Sequence, residues 1–114
     1  MPAQENCIFC QIIAKQIPAN IVFEDDNFIV FKDINPKAKL HLLVVPKEHI
    51  ASLAHLEYNH KSLLGEAMLL LNNIALQNNA TTGFRTIINT GRGGGQEVDH
   101  LHIHLLAGKL PNFG

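Results

Sequence analysis

A chain of 114 residues is the size of one domain and can bury one hydrophobic core. Nine basic against ten acidic residues give a net charge of −1 with no basic block, so there is no electrostatic footprint for nucleic acid or a membrane surface, and the expected partner is a small molecule. The opening Met1-Pro2-Ala3-Gln4-Glu5-Asn6 has no basic segment followed by an apolar stretch, and no run approaches the roughly 18 apolar residues of a membrane span, so neither export nor insertion is expected and a cytoplasmic location follows.

In chain order, Ile8, Phe9, Ile12 and Ile13 recur at helical spacing between Cys7 and Lys15, and Pro18 stops the pattern, which predicts a short first helix. Ile21-Val22-Phe23 and Phe28-Ile29-Val30-Phe31, separated by the turn residues Glu24-Asp25-Asp26-Asn27, read as a hairpin. A third strand is expected over Leu40 to Val45. Lys61 to Gln77 forms the longest helix, and its apolar residues cover more than one face. Such a helix is either fully buried in the core or, most simply, buried against its own copy in a symmetric dimer. The loop from Asn78 to Gly83 leads to a strand over Phe84 to Asn89, and the loop from Thr90 to Glu97 to a last strand. The whole reads as an α+β domain spanning 1–114, with about five antiparallel strands, one short helix and one long one.

The last strand carries the chemistry. In Val98-Asp99-His100-Leu101-His102-Ile103-His104-Leu105-Leu106, strand alternation predicts three imidazoles on one face, about 6.7 Å apart, with Leu101, Ile103 and Leu105 on the other. A half-exposed polar strand can carry histidines without chemistry. Three aligned imidazoles, each able to act as nucleophile, acid, base or metal ligand near neutrality, point instead to a reactive site.

Cys7 and Cys10 are the only cysteines, and in a reducing compartment a Cys-x-x-Cys pair is more often a metal or redox site than a disulfide. Two thiolates leave a tetrahedral ion two ligands short, with His49, His100, His41, His102 and His104 as candidates. The alternative is a pair of thiols with no ion. The loop Gly91-Arg92-Gly93-Gly94-Gly95-Gln96-Glu97 can turn backbone N–H groups towards an anion, although alone it reads equally as a glycine-rich connection. It enters a strand rather than a helix, which excludes the P-loop and the dinucleotide fingerprint.

The alternating histidine run preceded by Gly93-Gly94-Gly95-Gln96-Glu97-Val98 resembles the signature of the histidine triad superfamily, closest to its small nucleotide-binding, purine nucleoside phosphoramidase branch. Cys7-Ile8-Phe9-Cys10, Ile17-Pro18-Ala19, Phe23-Glu24-Asp25-Asp26, Asp33-Ile34-Asn35-Pro36 and His41-Leu42-Leu43-Val44-Val45-Pro46-Lys47-Glu48-His49-Ile50 fall in that family's order and spacing.

The resemblance implies a homodimer through the long helix and adjacent strand, and one structural zinc per chain on Cys7, Cys10, His49 and His100. It gives His102 the role of nucleophile at the α-phosphorus of a purine nucleotide conjugate, with a nucleotidyl-histidine intermediate. His104 would donate to phosphate and His41 would position the phosphate or the nucleophile. Gly95, Gln96, Glu97, Val98 and Asn89 would surround the phosphate, and Asp33 would accept from the ribose hydroxyls. Ile8, Phe9, Ile12 and Phe31 would wall the base. Without the resemblance, Asp33 reads as a turn residue and the apolar four as core. Glu97 stands where many eukaryotic relatives have a serine, Asp99 where an apolar residue is common, and the tail Lys109-Leu110-Pro111-Asn112-Phe113-Gly114 is short. The implied activity is hydrolysis of nucleoside 5′-phosphoramidates. The competing readings are cleavage of dinucleoside polyphosphates, a zinc-stabilised nucleotide-binding scaffold with incidental turnover, and a metal carrier built on the three histidines.

Overall fold

The structure, a computed structural model, describes residues 6–112. Met1 to Glu5, on which the reading of the N-terminus rests, and the tail residues Phe113 and Gly114 lie outside the described residues. The elements are α1 (Ile8–Ile13), β1 (Ile21–Glu24), β2 (Phe28–Lys32), β3 (Leu40–Pro46), α2 (Lys61–Gln77), β4 (Arg85–Ile87) and β5 (Ile103–Ala107), with short 3-10 turns between β3 and α2 and between β4 and β5. The strands form one antiparallel sheet in the order β1-β2-β3-β5-β4.

Local chemistry sets the boundaries. Cys7 caps α1, its sulfur accepting the Cys10 N–H at 3.3 Å, and Lys15 at φ 63° stands just past the helix end. The β1–β2 turn is held by the Asp25 carboxylate, which accepts the N–H groups of Asn27 and Phe28 at 2.8 and 2.7 Å. Ahead of α2, the Glu57 N–H donates to His60 Nδ1 at 2.9 Å in a capping box, and Asn79 at φ 67° follows its end.

Strand alternation then divides the core. Phe28, Val30, Leu42, Val44, Ile103 and Leu105 meet Ala67, Leu71, Ile74 and Ala75 of α2 on one face. Ile29, Phe31, Leu43 and Val45 meet Phe9, Cys10 and Ile12 of α1 on the other. Covered on both faces, β2 is buried from Phe28 to Phe31 and loses the polar alternation of a half-exposed strand. The remaining face of α2 leaves Met68, Leu69 and Leu76 exposed.

The histidine run departs from the expected strand. Regular pairing with β3 begins at Ile103, so His100 and His102 lie in the segment ahead of β5. Continuing the ladder past Val44 and Ile103 would set Leu101 against Pro46, which has no N–H to give. The Leu101 N–H donates instead to the Ile50 carbonyl at 2.7 Å, and the Pro46 carbonyl accepts from the His100 ring. The sidedness survives without the ladder: Ile103 and Leu105 face α2, whereas His100 and His102 stack edge-on against Phe9 of α1. β4 is also shorter than the expected Phe84 to Asn89.

Candidate active site and metal centre

At the N-terminal end of α1 the two sulfurs meet two imidazoles. Cys7 Sγ is 3.3 Å from His100 Nδ1, Cys10 Sγ is 3.3 Å from His49 Nδ1 and 3.6 Å from His100 Nδ1, and the two Nδ1 atoms are 3.2 Å apart. A zinc tetrahedron with bonds of about 2.0–2.3 Å has edges of about 3.3–3.8 Å, so these distances match one ion's coordination shell. The donor chemistry agrees. His100 Nε2–H donates to the Pro46 carbonyl at 2.8 Å, a group that can only accept, which leaves Nδ1 bare and aimed at the sulfurs. Burial, with further help from His49 and His102, holds His100 down at about 4, so the ring is neutral at pH 7. Burial also pushes the Cys7 thiol up, so a thiolate there needs a cation beside it. Of the five candidate histidines, the fold brings His49 and His100 to the cysteines.

His41, His102 and His104 gather on the neighbouring stretch of the same face. The backbone fixes each tautomer. The Lys37 N–H can only donate, and it does so to His41 Nδ1 at 3.0 Å. His41 therefore carries its hydrogen on Nε2, which lies 2.9 Å from His104 Nδ1 and donates to it. His104 in turn carries its own hydrogen on Nε2. At His102 the order is reversed, because Nδ1–H donates to the His100 carbonyl at 2.7 Å and Nε2 keeps its lone pair. Two imidazoles with ring centres 5.2 Å apart thus offer opposite functions, a bare nitrogen on His102 and an N–H on His104. Burial and the neighbouring His102 and His41 hold His104 down at about 4, and burial lowers His41 against the opposing pull of Asp33. Both rings are neutral at pH 7. Asp33, His41 and His104 also lie close enough to share a cation, but the facing nitrogens of His41 and His104 are occupied with each other.

A cavity of about 1290 Å³ opens over these rings. Ile8, Phe9, Ile12 and Phe31 line one apolar side of it, with the Phe9 ring edge-on to His102 at 5.1 Å. Asp33, Asn89, Gly95, Glu97 and Val98 also line it. Asp33 serves the turn as well, since one carboxylate oxygen accepts the Asn35 N–H at 2.8 Å while the other stands 3.4 Å from His41 Nε2. Gln96 sits apart from the cavity. Its buried amide donates to the Ala51 and Val98 carbonyls at 2.8 Å each and accepts the Gly91 N–H at 2.8 Å, which makes it a brace for the glycine loop. Gly91 and Gly95, at φ 71° and 88°, supply the left-handed turns that this brace spans. Asp99, exposed, pairs with Arg92 at 3.0 Å. Sequence reasoning missed the Pro46 carbonyl and the Lys37 N–H, since main-chain groups leave no residue-type signal.

Comparison with known proteins places the chain in a well-populated neighbourhood. The family model described as "Scavenger mRNA decapping enzyme C-term binding" matches residues 6–113. Protein HitA of Neisseria gonorrhoeae is 58% identical over 102 residues, covering 90% of this chain and 95% of the relative. The 14 kDa zinc-binding protein of Zea mays is 40% identical (93% and 84% covered), and Adenylylsulfatase HINT1 of Arabidopsis thaliana is 38% identical (98% and 78% covered). Among solved structures, a histidine triad protein from Clostridium difficile superposes with a TM-score of 0.92 at 45% identity (97% and 98% covered), and a HIT family hydrolase from Legionella pneumophila Philadelphia 1 with 0.89 at 42% identity (92% and 95% covered).

Proposed function

The chain belongs to the histidine triad family of hydrolases, and from that premise we propose that it hydrolyses purine nucleoside 5′-phosphoramidates or related nucleotidyl conjugates at the α-phosphorus. His102 Nε2 forms a bond to phosphorus while the bond to the leaving nitrogen breaks. That nitrogen keeps the bonding pair and takes a proton from water in the open cavity. In the second half, water attacks phosphorus, its proton returns to solvent, and the bonding pair returns to Nε2 as the free nucleotide leaves. His104 Nε2–H donates to the phosphoryl oxygen, and His41 keeps that hydrogen in place. Gly95, Glu97, Val98 and Asn89 surround the phosphate, Asp33 takes the ribose hydroxyls, and the apolar wall takes the base by shape.

The observation that carries this reading is the pair of opposed tautomers, a bare nitrogen on His102 beside an N–H donor on His104. The name of the Arabidopsis relative, an adenylylsulfatase, supports transfer of a nucleotidyl group to water. One zinc per chain on Cys7, Cys10, His49 and His100 is supported by the tetrahedral edge lengths and by the name of the maize relative. With four protein ligands it has no open position, so it supplies structure, clamping α1 to the sheet and fixing His100. We assign residues 1–114 to a single domain that works in the cytoplasm as a homodimer through α2 and β4, a reading that the exposed Met68, Leu69 and Leu76 support.

The test is a single-turnover reaction with an adenosine 5′-phosphoramidate bearing a reporter amine, comparing wild type with His102→Ala and examining quenched protein by mass spectrometry. Amine release with an adenylyl group on His102, both lost in the variant, is the expected result. A wild type that binds nucleotide yet releases no amine and forms no adduct overturns the reading.

A further inference from the structure

A second recess, of about 350 Å³, lies beside the metal centre. Of the four donors gathered at the N-terminal end of α1, Cys7 and His49 line it. The other two do not: Cys10 and His100 are 2% and 0% exposed, whereas Cys7 keeps 8% and His49 is only half-buried. A cation held by all four therefore meets solvent along its Cys7–His49 edge. None of the residues lining the recess belongs to α2 or β4, to which the dimer contact is assigned.

Charged side chains supply much of the remaining lining. Arg92, Glu97 and Asp99 stand around the same space. Arg92 is committed, because its guanidinium donates to the Asp99 carboxylate at 3.0 Å and to the Gln96 carbonyl. That pairing neutralises Asp99 and keeps the cation of the recess off Glu97, whose carboxylate has no hydrogen-bond or ion-pair partner among the described residues. Glu97 is also not a fifth member of the metal shell, since the donors that lie within 4.8 Å of one another are Cys7, Cys10, His49 and His100. A carboxylate oxygen is nevertheless a zinc ligand in its own right, and one standing just outside a filled tetrahedron can bind when a member of that shell leaves.

We propose that Glu97 is a relay ligand through which metal enters and leaves the Cys7, Cys10, His49 and His100 centre, with the recess as the route to solvent. The inference rests on zinc occupying those four donors, as proposed above, and adds the path by which it exchanges. His49 is the donor that gives way: it is the most exposed of the four, and a neutral imidazole has no charge to hold it to the cation as a thiolate has. On release, His49 Nδ1 withdraws from the ion with its lone pair and a Glu97 carboxylate oxygen takes its place, so neither a proton nor an electron moves in that step. Cys7 and Cys10 take up protons from water once the ion has gone. Loading is the same sequence reversed, so Glu97 speeds both directions and leaves the final affinity unchanged.

The experiment follows exchange of the bound zinc of the loaded protein for isotopically enriched zinc supplied at fixed concentration, read by mass spectrometry of the metal after rapid desalting. It compares wild type with Glu97→Gln and with Asp26→Asn, which removes the same charge from the β1–β2 turn, outside the recess. Glu97→Gln is expected to keep its zinc and to slow exchange by about fivefold or more, the factor that one close charge pair is worth in water. Asp26→Asn should stay within about twofold of wild type, its charge being screened by solvent. The direction separates a relay from a prop, because losing a residue that merely holds the ligands together loosens the centre and speeds exchange. Unchanged or faster exchange in Glu97→Gln, or equal slowing in Asp26→Asn, overturns the relay and leaves the centre standing. A wild type that binds no zinc overturns the centre, and the relay with it.

Discussion

His102 Nδ1 donates at 2.7 Å to the carbonyl of His100, the residue whose own ring sits among Cys7, Cys10 and His49. The candidate metal centre and the proposed nucleophile are therefore consecutive hydrogen-bonding positions on one stretch of chain. Whatever fixes His100 also fixes which nitrogen of His102 is bare.

Zinc removal is expected to act first on stability and then on His102. Chelation, or Cys10→Ser, should release one zinc per chain and lower the unfolding free energy by several kcal/mol, a fraction of the roughly 10–16 kcal/mol that zinc contributes in small peptides. Elemental analysis and thermal unfolding with and without chelator check this. A protein that holds no metal, or that melts at the same temperature after chelation, contradicts it.

Burial holds His104 at about 4, against 6.5 for an ordinary histidine. Between those values the unfolded chain binds a proton that the folded chain refuses. Stability is therefore full above pH 6.5, falls as pH drops towards 4, and loses nothing further from this group below that. His41, lowered in the same sense, adds to the slope. NMR titration of the zinc-loaded protein should find no protonation of the His104 ring down to about pH 5. His104→Asn should flatten the pH dependence of unfolding between 6.5 and 4.

Leu69 is 74% exposed near the middle of α2, beside the half-exposed Met68. Leu69→Glu should convert a dimer into a folded monomer, because it adds a charge to an apolar contact without touching the core residues Leu71 and Ile74. Analytical ultracentrifugation with circular dichroism reads both properties. A wild type that is monomeric at tens of micromolar removes the dimer.

Gln96→Leu should cost about 2–4 kcal/mol, because it leaves the Gly91 N–H and the Ala51 and Val98 carbonyls without their partner. If Gln96 acts only as a brace, nucleotide affinity should follow the folded fraction. A variant of unchanged stability with weakened nucleotide binding would return Gln96 to direct phosphate contact.

Local signals carried most of the fold. The helix at Lys61–Gln77 has the bounds its sequence predicts, and the hairpin and third strand lie within a residue or two of theirs, because periodicity and turn chemistry act between neighbours in sequence. The start of β5 was not legible from the histidine run itself. It depends on a proline that lies across the sheet, and only the pairing of Val44 with Ile103 brings the missing N–H of Pro46 opposite Leu101.

The sequence by itself determined the residue types: three alternating imidazoles, two cysteines at metal spacing and an over-apolar helix. Tertiary structure decided their assignments. Backbone groups from Lys37, Pro46 and His100 set which nitrogen of each ring is bare, and the course of the glycine loop put Glu97 in the recess beside Cys7 and His49. Both depend on contacts between residues far apart in the chain, and main-chain donors and acceptors are alike in every residue but proline, so nothing in the order of side chains announces them.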